Sequence, residues 1–330
     1  MADRVRWGIL GCARIAINRV LPAMQQVEEA ALYAIASRDR QKAESTAKTF
    51  GAQRVYDSYT DLLGDPDIEA VYIPLPNHLH KEWSIAAVRA GKHVLCEKPI
   101  GLNAQEAREM QRAAQETNRL LLEAFMYRFS LVVQEAIRRL RAGEIGELRS
   151  IHSAFSFLIT DDPSNIRLQS HAGGGAMYDV GCYCINVLRM FAGREPRMAW
   201  AKLIWSPKYG VDIGGAGMLD FGEGLRGTFE TGFDARGETY CRVTGTEGIL
   251  EMPDGFLGRG QEARLVLTKE GRSNTTVVPL IDAYRLELED MCAAIRGQAT
   301  PKFGWEPLDA NMRVLDACYQ ADRSGCGVPI

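Results

Sequence analysis

The chain has 330 residues, 46% of them apolar and 25% charged, with a net charge of −3. That length exceeds what one hydrophobic core usually takes, so two domains are expected, and the interspersed charges give no basic face for nucleic acid or an anionic membrane. No apolar run approaches the roughly 20 residues of a membrane span, and "MADRVRWGILGC" enters a strand without the hydrophobic stretch of a signal peptide, so a cytoplasmic protein is expected. Eight cysteines and five histidines are scattered without zinc-type spacing. The closest cysteine pair, Cys182 and Cys184, is C-x-C, so reduced, buried thiols and no metal are expected.

In chain order, "VRWGILG", "ALYAIAS", "AVYIPLP", "HVLCEKP" and "LLLEAF" read as short apolar strands. Helical patterns separate them at 13–26, 39–50, 78–91 and 103–117. This alternation predicts a parallel sheet covered on both faces. From about 126 the pattern changes. A helix at 130–142 precedes strand-like runs at 149–158, 199–205, 216–221, 225–232, 238–244 and 263–268, several separated by turns such as "FGEG" and "TGTEG". Strands joined by short turns predict an antiparallel sheet. Helices at 282–296 and 307–324 close the chain. The expected organisation is an α/β Rossmann domain at 1–125 and an α+β domain with a large, mostly antiparallel sheet at 126–330.

Two stretches carry dinucleotide chemistry. "GILGCARIA" ends a strand and opens a helix, where G-x-G-x-x-G/A lets backbone N–H groups approach a pyrophosphate at the helix N-terminus. Here the run is Gly11, Cys12, Ala13, Arg14, Ile15, with Ala13 replacing the second glycine. The alternative is a turn of small residues kept for packing. At the tip of the second strand stand Ser37 and Arg38, with Arg40 and Lys42 nearby, while Asp39 lies beyond the tip. A hydroxyl and a guanidinium suit a 2′-phosphate, so NADP is expected over NAD. "GKHVLCEKPIG" sets Glu97 and Lys98 just past a strand's C-terminal end, where ligands of open α/β sheets bind. Pro99 restricts Lys98 to an extended conformation and a cis Lys98–Pro99 bond is possible there. A plain strand exit is the competing reading.

These motifs, with "GGGAMYDVGCY", resemble the Gfo/Idh/MocA oxidoreductase family over essentially the whole chain. The resemblance implies a Rossmann domain followed by an open-faced sheet through which a homodimer or homotetramer forms. It implies hydride transfer between nicotinamide and a hydroxyl-bearing carbon of a sugar, polyol or diol. "PLPNHLH" is similar to the family's nicotinamide-side loop, which assigns Pro74, Leu75, Asn77 and His80 to the cofactor. The triple glycine is then expected to let the backbone pass close to cofactor and substrate. Asp179 and Tyr183 follow at i and i+4, neighbours on one helical face. The resemblance points that face at the nicotinamide beside Lys98. Tyr183 stands where many family members carry histidine; tyrosine is similar to the glucose–fructose oxidoreductase and dimeric dihydrodiol dehydrogenase branches. A phenol titrates at about 10, and a nearby lysine cation lowers that value. Tyr183 is therefore expected as acid/base, Lys98 as its electrostatic partner and Asp179 as the group orienting a substrate hydroxyl. Tyr127, Arg128, Asn165 and Arg167 are further substrate candidates, packing or surface ion pairs being the alternative. A dinucleotide-binding regulator without turnover fits poorly with intact Lys98, Asp179 and Tyr183. A cycle that never releases its cofactor fits poorly with a chain that shows no N-terminal arm to retain it.

Overall fold

The computed structural model describes residues 4–257, 262–304 and 306–330. The chain forms two compact units. One runs to Met126 and takes up Asp282–Asp309 again; the other comprises Tyr127–Ile281 and Ala310–Ile330.

Among the described residues, the first unit holds a six-stranded sheet. Its strands are β1 (Val5–Leu10), β2 (Ala30–Ala36), β3 (Arg54–Tyr56), β4 (Ala70–Ile73), β5 (His93–Glu97) and β6 (Leu121–Ala124). Their order is β3-β2-β1-β4-β5-β6, and every pair is parallel. Strand order therefore reverses between β1 and β4, which opens the crevice where such sheets bind dinucleotides. The crossover helices are α1 (Leu21–Met24), α2 (Arg40–Phe50), α3 (Tyr59–Gly64), α4 (His80–Arg89) and α5 (Ala104–Glu116). Burial explains the near-continuous apolar strands: Val5, Trp7, Ile9, Ile35 and Tyr72 are at most 1% exposed. β3 and α3 escape the sequence pattern. β3 is three residues long and only partly buried, too short for periodicity. α3 did leave a signal, because the Ser58 side chain accepts from the Asp61 N–H as a capping residue.

The second unit opens with α6 (Leu131–Arg141) and β7 (Leu148–Ser156). α7 (Cys182–Ala192), β8 (Met198–Trp205), β9 (Asp212–Asp220), β10 (Arg226–Gly232), β11 (Glu238–Gly245), β12 (Ile249–Met252), β13 (Glu262–Lys269) and β14 (Arg272–Pro279) follow. α8 (Ala283–Ile295), which belongs to the first unit, comes next, then α9 (Ala310–Ser324) and β15 (Val328–Pro329). The sheet order is β14-β13-β12-β11-β7-β10-β9-β8-β15. β7 and β10 are parallel and the remaining pairs antiparallel. α7 packs on β7 and α9 on β8. On β8 and β9, Trp200 and Met218 are register partners and, with Ile204, are between 37% and 53% exposed.

The strand and helix pattern predicts a single boundary after residue 125, which leaves 282–309 with the second part. The structure returns that segment to the first unit. Leu288, Met291 and Cys292 of α8 join the same buried cluster as Val5, Trp7 and Ile35. No helix among the described residues is long and apolar enough to cross a membrane.

Candidate active site

In the first unit, β1 delivers Gly11 at the crevice. Gly11 has φ of +103°, and a Cβ there would stand 2.9 Å from Leu75 Cδ2. Only glycine therefore accepts both the left-handed backbone and the close loop. Cys12 is buried behind it, and burial raises its thiol pKa, which keeps it protonated. Ala13 and Ile15 are partly exposed and Arg14 is exposed as the helix begins. Residues Ala16–Val20 form a π-helical turn before α1. At the tip of β2, Ser37 is buried and Arg38 exposed. Asp39 is committed to the fold, as the N-cap of α2 that accepts from the Lys42 N–H at 3.0 Å. Arg40 pairs with Glu44 and Asp57, both at 2.8 Å. The hydroxyl and guanidinium at the tip thus stand without an acidic residue committed to a ribose, which fits a 2′-phosphate.

The loops after β4 and β5 are tied together. Lys98–Pro99 is a cis peptide. His80 is fully buried, with Nδ1 2.8 Å from the Pro99 carbonyl and Nε2 2.8 Å from the Leu75 carbonyl. Burial pushes its pKa down to about 4, so the neutral ring donates to one of these carbonyls while the other lies against its unprotonated nitrogen. His80 was expected to line the nicotinamide side; it acts instead as a clasp beneath that loop. Pro74 and Leu75 are buried, whereas Asn77 is partly exposed. Glu97 accepts from the Tyr72 hydroxyl at 2.6 Å. Lys98 is half-buried at the end of β5.

In the second unit, the triple glycine leads into the helix carrying Asp179 and Tyr183. A Cβ on Gly174 would lie 2.6 Å from the Arg167 carbonyl oxygen, and one on Gly175 would fall on Asp212 Oδ1. Protein groups alone already require glycine at both positions. Met177–Gly181 is π-helical and α7 continues from Cys182, so Asp179 and Tyr183 sit on either side of a change in helical pitch rather than on one regular helix. Asp179 accepts from Arg167 Nε at 2.6 Å. Asn165 accepts from the Arg167 N–H at 3.1 Å and shapes that turn.

Tyr183 is 8% exposed. Its ring centroid lies 5.6 Å from those of Tyr127 and Phe155 and 6.1 Å from that of Phe256. Tyr127 and Arg128 are both buried, and both donate to Asn186 Oδ1, at 2.6 and 2.9 Å. They were substrate candidates; the structure gives Tyr127 a place in the wall around Tyr183 and fastens both to α7. Phe155, Asn186, Asp212 and Phe256 were not singled out from the sequence. None belongs to a motif, and strand alternation shows Phe155 only as an ordinary sheet residue.

A 3-2-1-4-5-6 parallel sheet, with a glycine turn after its first strand and Ser–Arg at the tip of its second, is the arrangement of a dinucleotide-binding domain. Residues 5–125 match the family model described as an oxidoreductase family with an NAD-binding Rossmann fold, and 133–251 match the model of the GFO/IDH/MocA C-terminal domain. The chain is 37% identical to D-xylose 1-dehydrogenase (NADP(+)) 2 of Haloferax volcanii, covering 98% of this chain and 99% of that one. It is 31% identical to trans-1,2-dihydrobenzene-1,2-diol dehydrogenase of Xenopus tropicalis over 75% of each chain. It is similar in structure, with a TM-score of 0.91, 30% identity and 97% and 98% coverage, to a 3-ketoreductase from Actinomadura kijaniata in complex with NADP and TDP-benzene. The chain belongs to the Gfo/Idh/MocA family and is an NAD(P)-dependent oxidoreductase.

Proposed function

We propose that the protein is an NADP-dependent sugar dehydrogenase that oxidises an aldose at its hydroxyl-bearing carbon. The observation that carries this reading is the end-to-end similarity to a D-xylose 1-dehydrogenase that uses NADP(+). Gly11 and the helix start after it hold the pyrophosphate, while Ser37 and Arg38 hold the 2′-phosphate. Bound NADP+ supplies the hydride acceptor. Tyr183 takes the proton of the reacting hydroxyl as its C–H bond gives up hydride, leaving a carbonyl carbon. Lys98 stabilises Tyr183 as the phenolate that accepts this proton, and the negative charge that develops on the substrate oxygen. Asp179, set by Arg167, accepts from a second hydroxyl, which favours a polyhydroxylated ring. Asn165 and Arg167 shape the substrate side of that turn. The aromatic residues around Tyr183 support a second reading, oxidation of a flat vicinal diol. The exposed Trp200–Met218 face of the large sheet supports assembly as a homodimer or homotetramer.

The test is Tyr183→Phe assayed with D-xylose and NADP+. Loss of general acid/base catalysis predicts a fall in kcat of about 10²-fold or more with KM for NADP+ unchanged. Full turnover in this variant would remove Tyr183 from the proton transfer.

A further inference from the structure

We infer that Asp212 is a positioning residue for the reaction: from the first position of β9 it caps the helix that carries Asp179 and Tyr183 and fixes where both side chains stand. The inference rests on the reading that these two residues act on substrate. A helix start leaves several backbone N–H groups unpaired, and Ser, Thr, Asp or Asn at the N-cap ordinarily satisfies one of them. Here the N-cap is Ala176, which has no side-chain acceptor, and it is preceded by glycines. The acceptor comes from 35 residues further along the chain. Asp212 Oδ2 accepts from the Met177 N–H at 2.7 Å. Its Oδ1 accepts from the Tyr319 hydroxyl of α9, also at 2.7 Å.

Every member of this cluster is enclosed. Asp212 is 1% exposed, Ala176 and Met177 are at 0%, and Tyr319 is at 8%. Burial raises the pKa of Asp212, while the Met177 N–H and the Tyr319 hydroxyl are among the donors that act the other way. A negative charge at this helix end is also favoured by the macrodipole. The carboxylate excludes a local cap sterically, because any Cβ on Gly175 would fall on Oδ1. Gly175 and the distant aspartate are thus one device. Gly175 clears the space, and Asp212 fills it with an acceptor locked between β9 and α9. Asp179 follows the capped N–H by two residues, so a shift of the cap moves it directly.

The experiment compares the intact wild-type protein with Asp212→Ala, Asp212→Asn and Tyr319→Phe. It measures D-xylose turnover with NADP+, NADPH binding, and amide hydrogen exchange across 173–183. A misplacement of the catalytic groups by about 1 Å costs on the order of 10²-fold, so Asp212→Ala is expected to lose kcat on that scale with NADPH affinity unchanged. Its exchange should accelerate within 173–183 and not across β7. Asp212→Asn retains an oxygen for the Met177 N–H and is expected to restore kcat to within about fivefold of wild type, since neutral caps serve comparably. Tyr319→Phe should fall between the two. The inference is overturned if Asp212→Ala retains kcat within twofold, or if its exchange is unchanged across 173–183. Should Asp212→Ala fail to fold, the Asn and Phe variants carry the same comparison, and wild-type kcat in Tyr319→Phe with unaltered exchange overturns it. If the wild-type protein does not turn over D-xylose, the functional reading fails by itself, and the exchange data still decide whether Asp212 holds the turn.

Discussion

Ser37 and Arg38 are proposed to set the choice of cofactor. Arg38 is exposed at the tip of β2, and the nearest carboxylate in sequence, Asp39, is already the cap of α2. Hydrogen bonds to a charged group are worth about 1.5–3 kcal/mol, so Arg38→Ala should weaken NADPH binding by roughly 10- to 100-fold and leave NADH binding nearly unchanged. Equal loss for both dinucleotides, measured by fluorescence titration, would take the 2′-phosphate away from Arg38. A second residue-scale expectation concerns His93. Its Nδ1 accepts from the Leu120 N–H at 3.0 Å, which requires an unprotonated nitrogen, and burial lowers its pKa to about 4. A histidine depressed in the folded state contributes stability that is fully present above its unfolded value, about 6.5, and is lost as pH falls toward 4. The thermal midpoint should fall across that window, and less so in His93→Gln. The residues proposed for the site, Gly11, Lys98, Asp179 and Tyr183, stand out in the sequence as motifs because spacing and residue type survive without a structure. Tyr127, Arg128 and His80 were legible as polar residues near the site, but only three-dimensional packing shows their polar atoms engaged by Asn186 or by backbone carbonyls.

At the scale of elements, the turn from Arg167 to Asp179 leaves little room for change. Gly175 has φ of +125° and lies against Asp212. Gly175→Ala forces a backbone conformation that costs of order 1–3 kcal/mol, before the steric conflict is added. A fall in thermal midpoint of several degrees is expected, together with a loss of kcat. A variant of wild-type stability would show that the turn relaxes freely. Long helices and buried strands were legible here because apolar periodicity is strong over about ten residues. The π-turns at Ala16–Val20 and Met177–Gly181 were not, since one extra residue per turn leaves composition unchanged. β14 was also missed. It forms a hairpin with β13 through Glu270 and Gly271, both at positive φ, but its mostly exposed "RSNTTVVP" carries little apolar signal.

For the whole molecule, the sequence showed a parallel sheet followed by an antiparallel one, because alternation of strands and helices differs so plainly from a run of strands. It did not show the return of Asp282–Asp309 to the first unit, since the apolar face of α8 does not say which core receives it. The proposed assembly through the large sheet predicts that Trp200→Glu combined with Met218→Glu lowers the mass in light scattering toward a monomer. An unchanged oligomer would put the interface elsewhere. The central claim is NADP-dependent oxidation of an aldose, and absorbance at 340 nm tests it most directly. Purified protein is supplied with NADP+ or NAD+ and with D-xylose, other aldoses, polyols or a vicinal diol. The account predicts reduction of NADP+ by an aldose, with NAD+ much the poorer acceptor. Turnover confined to the diol, or to NAD+, would contradict it.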